Sequence, residues 1–218
     1  MAAEGRQGRF VVLEGIDGCG KTTQLEALSR WLRLPEAGCL PPGRQLIVTR
    51  EPGGTPLGLA LRELLLHPPG DSAPGSTAEL LLYAADRAQH VEQTIRPALA
   101  AGDWVLSDRF SGSTLAYQGY GRGLSLPLIE QLEQVATGGV QPDLTLWLDL
   151  PLAEAGRRRG GRAADRIESG GSPFLERVAA GFTALAQRRG WCRIDARARP
   201  EQITEDCRRA LTRLASRP

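Results

Sequence analysis

A single lysine stands among 27 basic residues, and all the others are arginine. That lysine, Lys21, lies in Gly15-Ile-Asp-Gly-Cys-Gly-Lys-Thr22, which fits GxxxxGK[ST] without a mismatch. An ammonium is a compact point charge and a guanidinium a broad planar fork, so they do not fill a tight phosphate cradle alike. The chemistry of such a loop is phosphate binding. Glycines let the backbone from Gly15 through Ile16, Asp17, Gly18, Cys19 and Gly20 curl until its amides point at oxygen atoms. Lys21 would then reach the β- and γ-phosphates of ATP, and Thr22 would bind Mg²⁺. In a chain of this composition a chance match is expected on the order of once in a thousand.

The loop alone leaves the reaction open, because GTPases, ATPase motors and small-molecule kinases share it. A guanine reader of the NKxD type is excluded, since the chain has no Asn and no second Lys. Large motors need more chain than 218 residues. A small kinase remains, and other residues suit one. Arg50 leaves the tip of a second apolar run beside the loop, where a monophosphate acceptor must sit for in-line transfer. Asp108 ends the apolar run from Trp104 to Ser107, where a metal-associated acid belongs, and Arg109 follows it. Tyr83 and Arg87 are four apart on an expected helix and so share a face. Asp149 also ends an apolar run but lacks the following Arg, and reads as a structural end.

These residues need elements to hold them. Arg9 to Glu14 is a nearly continuous apolar run, as in a strand buried on both faces. Further strands are expected at Gln45 to Thr49, Trp104 to Ser107, Leu144 to Leu150 and Trp191 to Asp195. Helical spacing marks Lys21 to Leu34, Thr55 to Leu66, Leu126 to Ala136, Pro173 to Gln187 and Pro200 to Leu214. A long helix is expected from Ser76, capped by it with Glu79 in capping-box spacing, towards Leu99. Glu36 to Gly43 and His67 to Gly75 read as Pro/Gly-rich loops. The alternation implies an α/β fold, a P-loop NTPase-type three-layer α/β/α arrangement with a five-stranded parallel sheet. Right-handed crossovers put every strand's C-terminal end on one edge, where ligands bind. The length suits one domain, 1–218.

Composition narrows the partners. Net charge is +2 with acids and bases interspersed, so no field points to nucleic acid or a membrane. Aromatics at 5% argue against a base-stacking single-strand binder. Met1 to Arg9 lacks a hydrophobic signal core, and no run is long enough to span a bilayer. Four cysteines without CxxC spacing read as reduced thiols of a cytoplasmic protein.

Five blocks, in order, resemble the thymidylate kinase family. They are Phe10 to Gln24, Thr49-Arg-Glu-Pro-Gly-Gly-Thr55, Asp108-Arg109-Phe110, Ala116-Tyr-Gln-Gly119 with Gly121-Arg-Gly123, and Asp165-Arg-Ile-Glu168. The similarity extends from about Phe10 to Leu211 and implies ATP + dTMP → ADP + dTDP with Mg²⁺, by a homodimer. It further implies that Arg50 holds the acceptor phosphate and that Arg109 bridges donor and acceptor phosphates, with Asp108 near the metal. Tyr83 would stack on the base, where the family often has Phe, and Arg87 would donate to the thymine carbonyl. Thr114, Tyr117 and Gln118 would contact base and sugar, Tyr117 crowding the ribose 2′ position. Asp17 is left with two roles, binding the sugar 3′-hydroxyl or a Mg²⁺-bound water.

Family members keep the transition-state arginine either in the loop or in a lid. This loop has no Arg, so the chain resembles the bacterial type with lid arginines. The lid would span about 154–172, where Arg157-Arg-Arg159, Arg162 and Arg166 sit in a Gly-rich segment. Arg162, Arg159 and Arg158 are all candidates, because the spacing departs from the family's pattern. The alternatives are a kinase for another deoxynucleotide or a deoxynucleoside, or an ATP-binding regulator without enzymatic activity.

Overall fold

Short apolar runs become strands here because both of their faces are covered. Phe10–Glu14 (β1) is buried along its whole length. Trp104–Asp108 (β3) and Leu144–Asp149 (β4) are buried except at their ends. Leu46–Arg50 (β2) alternates between covered and exposed positions, and Cys192–Asp195 (β5) closes the opposite edge. All neighbours pair in parallel, in the order β2-β3-β1-β4-β5. This is a computed structural model, and it describes residues 8–70, 72–160, 166–167 and 171–217, apart from the side chain of Arg159.

Alternate side chains of β1 enter different clusters. Phe10 and Val12 pack with Val91, Ile95 and Val105, while Val11 and Leu13 join Leu28, Leu106 and Leu146. A period of two thus builds a core on each face, each large side chain contributing about 1.5–3 kcal/mol on burial. The covering helices are Lys21–Leu32 (α1), Pro56–Leu66 (α2), Ser76–His90 (α3), Arg96–Ala100 (α4), Ser111–Thr114 (α5), Leu126–Thr137 (α6), Leu152–Arg159 (α7), Ser172–Arg189 (α8) and Pro200–Ala215 (α9). The expected three-layer α/β/α arrangement and its five parallel strands are present.

Three local expectations need correction. Ser76 does not cap α3: Gly75 holds the cap position with no side-chain bond, and Glu79 turns inward to be fully buried. Its arginine partners outcompete the capping role. The long helix towards Leu99 is interrupted by a wide π-helical turn, Val91–Ile95, before α4. Pro97 supplies no N–H and crowds the carbonyl four residues back, and the widened turn makes room for it. Arg157 to Arg159, read as part of a Gly-rich lid segment between two elements, lie on the last turn of α7.

Candidate active site

The loop between β1 and α1 is shaped by positive φ at Gly15, Gly18 and Gly20 (144°, 85° and 100°). At Gly15 a Cβ would come within 2.8 Å of both Cys19 Sγ and Leu148 O, so this position admits no side chain. Lys21 is buried and folds back over the loop, its Nζ donating to Gly15 O at 3.1 Å and Ile16 O at 3.0 Å. Gly15 and Ile16 thus lie beneath the cradle. Asp17, Gly18, Cys19, Gly20, Lys21 and Thr22 line a cavity of about 690 Å³ at the C-terminal edge of the sheet. The cradle is joined by Arg50 from β2, Asp108 from the end of β3, Arg158 from α7, and Pro200 and Ile203 from α9. The Arg50 side chain is exposed and makes no hydrogen bond or ion pair with the described residues. Burial pushes the Cys19 thiol up, which keeps it neutral beside Lys21.

Thr22 Oγ1 and Asp108 Oδ2 are 3.5 Å apart, and Asp108 Oδ1 is buried without a hydrogen-bond partner among the described residues. One hydroxyl and one unsatisfied carboxylate oxygen fit a magnesium ion, which takes its other ligands from phosphates and water. Asp149 is placed differently: it pairs with Arg193 at 2.7 Å, as a structural end of β4.

Arg109 has the one positive φ of a non-glycine residue in the described chain, 74°. This strained turn aims its guanidinium between the loop and the following helix. Nη1 donates to Gly15 O at 3.1 Å and Ser113 Oγ at 2.8 Å, Nη2 pairs with Asp17, and the group lies 5.3 Å from the Tyr117 ring centre. Burial raises the Asp17 pKa, but Arg109 and Lys21 outweigh it and hold the carboxyl well below the usual range. Asp17 also accepts from Tyr117 Oη at 2.6 Å. Underneath, buried Glu14 accepts from Phe110 N, Ser113 N and Ser113 Oγ, anchoring the segment that carries Arg109.

Arg109, Asp17, Glu51 and Arg62 border both this cavity and a narrower pocket. The narrow pocket is lined by Tyr83 and Arg87 from α3, Thr114 from α5, Tyr117 and Gln118 from the π-helical turn Leu115–Gly121, and Ile167. Every residue the sequence placed around an acceptor base is therefore brought together. Arg87 is 3% exposed, and it donates through Nε to Glu51 and through Nη2 to Thr114, both at 2.9 Å. Glu51 also takes His90 Nδ1 at 2.9 Å, and His90 Nε2 lies 2.7 Å from Thr49 Oγ1. Sequence reasoning missed Glu14, Glu51, His90 and Ser113, because an isolated acid, imidazole or hydroxyl carries no spacing signal, and it gave Glu79 only a capping role.

Among the lid arginines, Arg157 pairs with Glu154, and Arg158 lies 3.5 Å from the same carboxylate while lining the larger cavity. Arg166 is tied to Glu79 and Leu65 O. Arg162 and the side chain of Arg159 lie outside the described residues.

A strong electrostatic cradle joined to a second pocket across a border that includes Arg109 is the geometry of a two-substrate phosphotransferase. Comparisons with known proteins agree. The family model for thymidylate kinase matches residues 13–207. A thymidylate kinase of Synechococcus sp. (strain RCC307) is 66% identical over 197 residues, covering 90% of this chain and 92% of the relative. One of Parasynechococcus marenigrum (strain WH8102) is 63% identical over 204 residues, covering 94% and 97%. Among solved structures, thymidylate kinase from Ehrlichia chaffeensis superposes with a TM-score of 0.74 at 31% identity, over 94% of this chain and 98% of that one. Built from the loop outward, and by each of these comparisons, the chain belongs to the thymidylate kinase family.

Proposed function

We propose that the larger cavity holds MgATP and the narrower pocket holds dTMP, so that the chain runs its family's reaction, ATP + dTMP → ADP + dTDP, a step towards dTTP. The observation that carries this reading is Arg109, which borders both cavities at once. A guanidinium there offsets the repulsion between donor and acceptor phosphates as they approach. Asp17 stays ionised and keeps Arg109 aligned, and it faces the pocket where the acceptor sugar would lie.

Lys21 sits within reach of the β- and γ-phosphates once it leaves the carbonyls that now hold it. Arg50 offers the acceptor phosphate a guanidinium not engaged elsewhere. Thr22 and Asp108 would hold Mg²⁺, which would supply positive charge to offset that of the phosphates. Tyr83 and Arg87, with Thr114, Tyr117 and Gln118, would receive the base and sugar, while Pro200 and Ile203 supply apolar surface for adenine. Arg158 is the lid arginine that geometry favours among those described, with Arg159 and Arg162 retained as candidates. No general base is needed, because the attacking phosphate oxygen is already anionic. Catalysis is then positioning and charge neutralisation.

The same reading takes 1–218 as one kinase domain, working as a homodimer in the cytoplasm. Four free cysteines accord with a reducing compartment, and no described helix is long and apolar enough to cross a membrane. A nucleoside kinase would leave Arg50 with no phosphate to bind, and a nucleotide-gated regulator would need no second pocket. The test is ADP release from MgATP with dTMP, dUMP, dCMP, thymidine or no acceptor, run in parallel. Turnover should depend on a pyrimidine deoxynucleoside monophosphate and be best with dTMP. Turnover with thymidine alone, or equal turnover without acceptor, would overturn the reading.

A further inference from the structure

Glu79 borders neither cavity, yet its side chain is 1% exposed and its oxygens accept four hydrogen bonds from three residues far along the chain. Oε1 accepts from Gln118 Nε2 at 2.7 Å and from Arg122 Nε at 3.3 Å. Oε2 accepts from Arg122 Nη2 at 3.1 Å and from Arg166 Nη2 at 2.5 Å. Glu79, Tyr83 and Arg87 follow one another at four-residue spacing along α3. The carboxylate therefore stands directly behind the wall that Tyr83, Arg87 and Gln118 present to the narrow pocket.

A carboxylate only accepts hydrogen bonds, so it dictates which way the Gln118 amide points. The NH₂ must face Glu79, and the carbonyl Oε1 must face away. Among the described residues nothing donates to Gln118 Oε1. Arg87 has committed Nε to Glu51 and Nη2 to Thr114, which leaves Nη1. The pocket wall thus offers one donor from Arg87 and one acceptor from Gln118.

We propose that Glu79 is a positioning residue for base choice. By holding Gln118 in this orientation, it matches the pocket to a pyrimidine with N3–H beside a 4-carbonyl. It mismatches the pocket to cytosine, which presents an N3 lone pair beside a 4-amine. The proposal rests on reading the narrow pocket as the base site.

Glu79→Gln tests it. Two guanidinium groups would claim the single remaining oxygen, turning the new NH₂ towards Gln118. Gln118 would then flip to accept that bond and push its own NH₂ into the pocket. The expected result is a KM for dTMP raised about tenfold, an unchanged KM for ATP, and a dTMP-over-dCMP preference in kcat/KM narrowed by about tenfold or more. Glu79→Asp keeps an acceptor-only partner, and Arg122→Leu keeps the Gln118 bond. Both should lower Tm while preserving the preference, which a purely structural role for Glu79 does not distinguish. Should Glu79→Gln alone fail to fold, the double variant Glu79→Gln/Arg122→Met restores the local charge and carries the same test. An unchanged preference in a folded Gln variant, or an equal narrowing in Glu79→Asp, overturns the proposal. Absence of dTMP-dependent turnover in the unaltered chain overturns the substrate reading itself, so the two failures are told apart.

Discussion

Arg50 and Arg87 are chemically identical and differ entirely in setting. Arg50 is exposed at the end of β2 without a described partner, so its charge is available to a ligand. Arg50→Ala should raise KM for dTMP about a hundredfold and leave Tm unchanged, read by steady-state kinetics beside a melting curve. Arg87→Ala should instead cost about 3 kcal/mol of stability, because it strips a buried carboxylate, Glu51, of its guanidinium. Asp86 adds a pH dependence. Burial, and then the neighbouring Glu51, push its pKa up to about 6, against an ordinary value of 3.8. Between about pH 4 and pH 6 the folded state therefore holds a proton that the unfolded state has lost. Stability falls as pH rises through that window and levels off above it, by about 3 kcal/mol at most. Asp86→Asn keeps an oxygen for the Gly53 amide, so it should melt higher than the unaltered chain at pH 8 and level with it near pH 4. A Tm difference independent of pH would contradict this. Lys21 was legible from motif spacing alone, while Arg50 and Asp108-Arg109 stood out by their place at the ends of apolar runs together with the family resemblance. Glu14, Glu51 and Glu79 were not legible, because each acquires its meaning from partners 36 to 99 residues away.

The acceptor side depends on how α8 meets the π-helical turn Leu115–Gly121, and glycine decides that approach. A Cβ at Gly181 would lie 2.7 Å from Tyr120 Cγ, and one at Gly121 would lie 2.6 Å from Phe174. By helix propensity Gly181→Ala should gain about 1 kcal/mol. The overlap with a packed ring costs about 1–3 kcal/mol and should win. The expected outcome is a net loss of about 1 kcal/mol in urea unfolding, with a raised KM for dTMP. Tyr117 and Gln118 sit on the turn that must shift, whereas the P-loop does not. A more stable variant with unchanged kinetics would show that the turn yields freely. Apolar spacing located the long helices to within a few residues, since periodicity survives burial. The π-helical turns escaped it, because a turn widened by one residue leaves nearly the same apolar stripe. Ser76 misled for a related reason: its capping-box partner has a buried use that spacing cannot reveal.

The strand order could not be read from the sequence either. Parallel pairing joins segments far apart, such as Val11 with Leu106 and with Leu144, and leaves no local mark. The outer surface of the molecule is similarly silent until it is folded. Leu57, Leu59 and Leu64 on α2, Leu81 on α3, and Leu128 and Val135 on α6 are all exposed, Val135 by 81%. α3 packs against both α2 and α6, which brings these residues onto neighbouring helices. An apolar surface of that kind is what the proposed homodimer would cover, and a stable one needs about 1,200–2,000 Å² in total. Leu81 and the pocket residues Tyr83 and Arg87 belong to the same helix, so a partner pressing on Leu81 would brace the acceptor site from behind. Leu81→Glu with Val135→Glu should therefore convert a dimer to a monomer in sedimentation velocity at about 10 µM. The same double variant should raise KM for dTMP severalfold while leaving KM for ATP alone, because the P-loop does not depend on α3. If the unaltered chain already sediments as a monomer, the assembly is wrong. If the variant dissociates and both Michaelis constants stay put, the dimer is real but the acceptor pocket stands without it.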